Sequence, residues 1–218
     1  MTDMASHHIV SSYDDELKYL TRKIAAMGGQ AERMVDRAVD AIVHGDVALA
    51  RKTVEDDLIL DEAQRVVDER TISIIARRQP LAADLREVIG AIRIASDLER
   101  IGDLGKNLAK RAIAIRHGVE PTSPLRGLRT LADLALTQLK EVLDVYASRN
   151  VERLAETRDR DQQIDAMFTS VFRELLTYMM EDPRNITPCT HLLFCAKNIE
   201  RIGDHATNIA EAIYYIVT

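Results

Sequence analysis

The chain has 218 residues, enough for one large domain or two small ones, with 46% hydrophobic and 29% charged side chains. Its 35 acidic and 29 basic residues give a formal net charge of −6, which excludes a general electrostatic pull toward nucleic acid or anionic lipid. Nine Gly, five Pro, three Phe and no Trp, in a chain dominated by Ala, Leu, Ile, Val, Arg and Glu, indicate helices, and alternating strand patterns are missing.

Residues 1–11 carry no periodicity and are expected to form a flexible tail, with a His7-His8 pair that lacks a third ligand. No N-terminal run has the basic, apolar and small-residue order of a signal peptide, and no window approaches the roughly 18 uninterrupted apolar residues of a membrane span. A cytoplasmic protein is therefore expected, touching a membrane only peripherally. From Ser12 apolar residues recur at spacings of three and four, through Leu17, Leu20, Ile24, Met27, Ala31, Met34 and Ala38 to Ile42. That is one long amphipathic helix. Gly28-Gly29 interrupts it, so the helix either kinks there or admits a close neighbour. Gly45 is read as a C-terminal cap, and Asp46 as the N-cap of a second helix from Val47 to about Arg78. Gln79-Pro80 ends that helix, because a residue before proline disfavours the helical region. A third runs from near Leu81 to about Arg116.

His117 to Pro124 contains Gly118, Pro121 and Pro124 and is the natural boundary between two halves. Beyond it come a helix from about Leu125 to Ala147, another from Val151 to about Met180, and a last from about Cys189 to Ile216. The predicted architecture is all-α: two tandem similar three-helix bundles, residues 12–117 and 125–217. Cys189 and Cys195 form neither a CxxC pair nor a disulfide framework and are expected to be reduced thiols.

The halves share a signature. ASDLERIGDLGKNLA (95–109) recurs as AKNIERIGDHATNIA (196–210), and Glu99, Asp103 and Asn107 match Glu200, Asp204 and Asn208 at a constant separation of 101. A second pair recurs at 104: Asp57 and Asp61 on the second helix match Asp161 and Asp165 on the fifth. Residues four apart share a helical face, and neighbouring helices of an antiparallel bundle can turn two such stripes toward each other. Each half then assembles four carboxylates and one amide.

Like charges a few Å apart raise one another's pKa or push the helices apart, and a cation removes the conflict. All-oxygen donors suit Mg²⁺, Ca²⁺ or Mn²⁺, and carboxylate clusters also hold iron. The expected cofactor is a divalent metal (Fe, Mn, Mg or Zn) in a partly exposed site able to bridge more than one ion. The plainer reading is a solvated face, since the same helix carries Arg100, Lys106 and Lys110 and surface ion pairs contribute little. Matched copies on two helices weigh against it. Gly102 and Gly203 are costly within helices and call for close approach of a neighbouring helix or a ligand. His205 is a candidate nitrogen ligand, hydrogen-bond partner or surface histidine. Arg100 and Arg201 can clamp a phosphate or, more simply, pair with a carboxylate. Glycine-rich phosphate loops, GxSxG, HExxH and the Glu-x-x-His pairs of di-iron bundles are absent, so no enzyme chemistry is expected.

From about Tyr13 to Tyr215 the chain resembles the PhoU family of bacterial phosphate-signalling proteins, on the strength of both ERIGD-x-x-x-N signatures and the tail ERIGDHATNIAEAI (200–213). The resemblance implies two three-helix bundles and metal clusters on Asp57, Asp61, Glu99 and Asp103, and on Asp161, Asp165, Glu200 and Asp204. It implies a negative regulator of the phosphate response, linking the phosphate ABC transporter to a membrane sensor histidine kinase; a homodimer or higher oligomer is expected. The family signature often continues ERIGDHA, whereas the first copy here has Leu104-Gly105. The two sites are therefore expected to differ in occupancy. A metal-storage bundle and a metal-dependent phosphohydrolase are the alternatives.

Overall fold

The apolar spacing of three and four becomes six long α-helices in the computed structural model, which describes residues 2–115 and 122–218, less the side chains of 2–12, 122, 123, 156 and 158. They are α1 (Thr2–His44), α2 (Val47–Arg78), α3 (Ala83–Ile115), α4 (Thr122–Ser148), α5 (Ala155–Glu181) and α6 (Ile186–Val217). Among the described residues there is no strand. The fold is all-α with an internal repeat.

Local chemistry explains the helix ends. Gly45 turns through a φ of +67°, and Asp46 then caps α2 by accepting the Leu49 N–H at 2.9 Å. Gln79 closes α2 in the left-handed region, its N–H bonded to the Ile75 carbonyl at 3.1 Å. At the equivalent place in the second half Arg149 takes the left-handed φ of 59°, but Asn150 forms no side-chain cap. A 3₁₀ turn (Val151–Leu154) therefore precedes α5, which begins at Ala155 and not at Val151 as the periodicity suggested. The expected tail is also corrected, since α1 already begins at Thr2. The His7-His8 side chains and most of the connection expected at 117–124 lie outside the described residues.

Consecutive helices within each half are antiparallel. Arg37 of α1 pairs with Asp56 of α2 at 3.0 Å, and Glu16 near the other end of α1 meets Arg77 and Arg78 of α2 at 3.2 Å each. Leu60 of α2 lies against Gly102 of α3, as Ile164 of α5 lies against Gly203 of α6. Helix α3 also packs antiparallel on α6, and α1 on α4. Gly90 meets Ile216 and Asp97 meets His205, while Gly28 meets Leu143 and Arg129 meets Asp36 and Asp40. The four helices α1, α3, α4 and α6 thus form the centre, and α2 and α5 flank it, α2 packing on α1 and α3 and α5 on α4 and α6.

One hydrophobic core runs through both halves, with Met34, Leu98, Ile101, Leu128, Leu139 and Ile202 inaccessible to solvent. Gly28 is where α1 admits a close neighbour: a Cβ there would lie 2.5 Å from Leu143 Cδ1 of α4. Cys189 and Cys195 are buried free thiols, and burial pushes Cys195 up to about 12. Among the described residues no helix is long and apolar enough to cross a membrane.

Candidate metal centres

Helix period puts Glu99 and Asp103 on one face of α3 and Asp57 and Asp61 on one face of α2. Leu60 and Gly102 set the distance between those faces, because a Cβ at Gly102 would come within 2.9 Å of Leu60 Cδ1. In the second half a Cβ at Gly203 would lie 3.0 Å from Ile164 Cδ1. The glycines therefore serve close packing of the acid-bearing helices.

The first stripe pair already carries a cation. Lys106 Nζ donates to Asp57 Oδ2 at 2.5 Å and to Asp103 Oδ1 at 2.6 Å, joining α3 to α2. Asp57 is almost wholly buried, with 4% of its surface exposed. Burial opposes the charge on Lys106, but the hydrogen bonds to Asp103 and Asp57 outweigh it and hold the ammonium above the ordinary lysine range. Arg100 lies 3.6 Å from Glu99 and 3.4 Å from Asp103, at the solvent edge. It is a carboxylate partner.

The second stripe pair is compensated differently. The position 101 residues after Lys106 is Thr207, whose hydroxyl donates to Asp161 Oδ1 at 3.2 Å and accepts from Gln138 Nε2 at 2.9 Å. The cation here is Lys197, 2.6 Å from Glu200 Oε1 on the exposed side. Glu200 Oε2 is buried without a hydrogen-bond partner. Arg201, the counterpart of Arg100, makes no ion pair with these acids.

One expected stripe member, Asn208, and the candidate ligand His205 point elsewhere. His205 Nδ1 lies 2.9 Å from Asp97 Oδ1 on α3, and Asn208 Nδ2 reaches the same oxygen at 3.4 Å. Both tie the halves together. Asp97 carried no signal in the sequence, since its counterpart is Asn198 and it lies off the i, i+4 stripe. The pairing also accounts for the departure at Leu104: Leu104 and Asn198 stand where His205 and Asp97 do in the other copy, and they cannot form an ion pair.

The carboxylates share one electrostatic field within each half. Asp61 and Glu99, and likewise Asp165 and Asp204, are raised above the usual carboxylate range by burial first and then by neighbouring carboxylates. Yet among the described residues no three His, Cys, Asp or Glu side chains converge tightly enough to hold a metal ion. The donor chemistry of the second stripe pair fits a hard divalent cation, with one buried carboxylate oxygen left unpaired. The first fits one only if Lys106 gives way.

A carboxylate whose folded pKa is raised binds protons more readily in the native state, so its contribution to stability falls as pH rises through the folded value. With EDTA present, the melting temperature is expected to climb as pH falls from neutral toward the ordinary carboxylate range near 4. The climb should shrink in a Glu99→Gln/Asp204→Asn variant. Melts showing a decline over that window, or an equal climb in the variant, would contradict this account.

Comparison with known proteins follows this geometry. The PhoU domain matches residues 24–112 and again residues 128–213. A Rhizobium meliloti (strain 1021) protein named phosphate-specific transport system accessory protein PhoU homolog is 66% identical over 215 residues, covering 99% of this chain and 91% of that one. A Caulobacter vibrioides (strain NA1000 / CB15N) protein of the same name is 44% identical over 98% of this chain and 93% of its own length. The crystal structure of PhoU from Pseudomonas aeruginosa superposes with a TM-score of 0.89 at 36% identity, covering 94% of this chain and 98% of that one. With the domain matched in both halves and relatives aligned nearly end to end, the chain belongs to the PhoU domain family.

Proposed function

We propose that this protein is a cytoplasmic, non-enzymatic regulator accessory to phosphate-specific transport. It restrains the phosphate-starvation response and phosphate uptake by coupling the phosphate ABC transporter to its sensor histidine kinase. The observation that carries this reading is the 66% identity, over 99% of the chain, to a protein named as an accessory of that transport system. The acidic stripes supply its working surface. Asp161, Asp165, Glu200 and Asp204 would hold a divalent ion (Fe, Mn, Mg or Zn), and Asp57, Asp61, Glu99 and Asp103 are the matching set. Bound there, the ion would neutralise the carboxylates and steady the spacing of the stripe-bearing helices. Exposed faces of the flanking helices remain for partners, including Leu58, Ile59 and Ile72 on α2.

The test is a clean deletion in the native host carrying a phosphate-responsive reporter. Loss of the gene is expected to leave the reporter active in phosphate-rich medium, and the wild-type gene is expected to restore repression. Repression that persists in the deletion would overturn the proposal.

A further inference from the structure

The two acid clusters are equivalent in their carboxylates and unequal in their cations. In the first, two cations face four carboxylates, and one of them, Lys106, sits between the helices with bonds to both. Its side chain is 22% exposed and that of Asp57 only 6%. An ammonium placed there satisfies lone pairs that a metal would otherwise take, and its positive charge repels an incoming divalent ion. In the second, the same register position holds neutral Thr207, the single lysine stands on the exposed side, and a buried oxygen of Glu200 has no partner.

We propose that Lys106 is the built-in cation of the first cluster, so that only the second cluster takes a divalent metal ion. This rests on the metal-binding reading above and deepens it. Among the register positions at which the two copies differ, the one that holds lysine against threonine decides which half depends on metal. The first half is then held together in any metal supply, and the second responds to it.

The experiment measures Mn²⁺ bound by equilibrium dialysis to the untagged full-length protein, with melting temperatures in EDTA and in Mn²⁺. Wild type is expected to bind Mn²⁺ that is lost in Asp161→Asn/Glu200→Gln and retained in Asp57→Asn/Glu99→Gln. Lys106→Thr is expected to melt lower than wild type in EDTA, to gain additional Mn²⁺, and to recover stability with it. The reciprocal Thr207→Lys is expected to lose Mn²⁺ binding while staying folded, and it decides the matter should Lys106→Thr fail to fold. Equal loss of Mn²⁺ from the two carboxylate variants, or wild-type binding by Thr207→Lys, would overturn the proposal and leave the metal-binding reading standing. No Mn²⁺ on wild type or on Lys106→Thr would overturn both.

Discussion

Leu98→Ala is expected to cost about 2–5 kcal/mol, the range for truncating a fully buried leucine. For a chain of this size that is a fall in melting temperature of roughly 4–20 °C. Leu98 is inaccessible to solvent on α3, which packs on α1, α2 and α6. Because the core is continuous through α3 and α6, the loss should lower one cooperative transition for the whole chain. Differential scanning calorimetry checks this. A biphasic melt in which only the first half shifts would show that the halves fold as separate units, with α3 and α6 contributing little to each other.

Gly203→Val is expected to weaken Mn²⁺ binding at the second cluster on the order of 10- to 100-fold, the scale of changes just outside a metal's own ligands, although every carboxylate is retained. A Cβ at this position already lies 3.0 Å from Ile164 Cδ1 and 3.3 Å from Gln138 Oε1. A valine must therefore push α5 outward or displace Gln138, which holds Thr207 against Asp161. Overpacking of this kind costs about 1–3 kcal/mol, offset in part by the roughly 1 kcal/mol that a helical glycine forfeits. Calorimetric titration of the folded variant separates the two effects. Unchanged affinity would mean that helix spacing does not set the site.

The two predictions meet in one property of the fold. Small residues bring helices close at the places where charge accumulates, and the common core resists the resulting repulsion. The Gly102–Leu60 and Gly203–Ile164 contacts are the same device used twice, once beside a lysine and once beside a threonine.

Much of this was legible from the residues in order. A period of three and four, interrupted at Gly45, Gln79-Pro80 and Arg149-Asn150, marked the helices, because side chains return to one face every turn. The constant separations of 101 and 104 marked the duplication, and the i, i+4 carboxylates marked faces independent of any partner helix. Errors occurred where local signals were weak: residues 2–11 join α1 without a clear apolar stripe, and Asn150 lacks the cap that Asp46 supplies. What the tertiary structure alone decided was the partner of each charged group. Lys106 read as one of three basic residues on a solvated helix until α2 brought Asp57 to it. His205 read as a neighbour of Asp204 until α6 crossed α3 and gave it Asp97. Local sequence determines the face on which a side chain lies, whereas the group it meets depends on how helices distant in the chain dock, and docking is set by the whole buried surface.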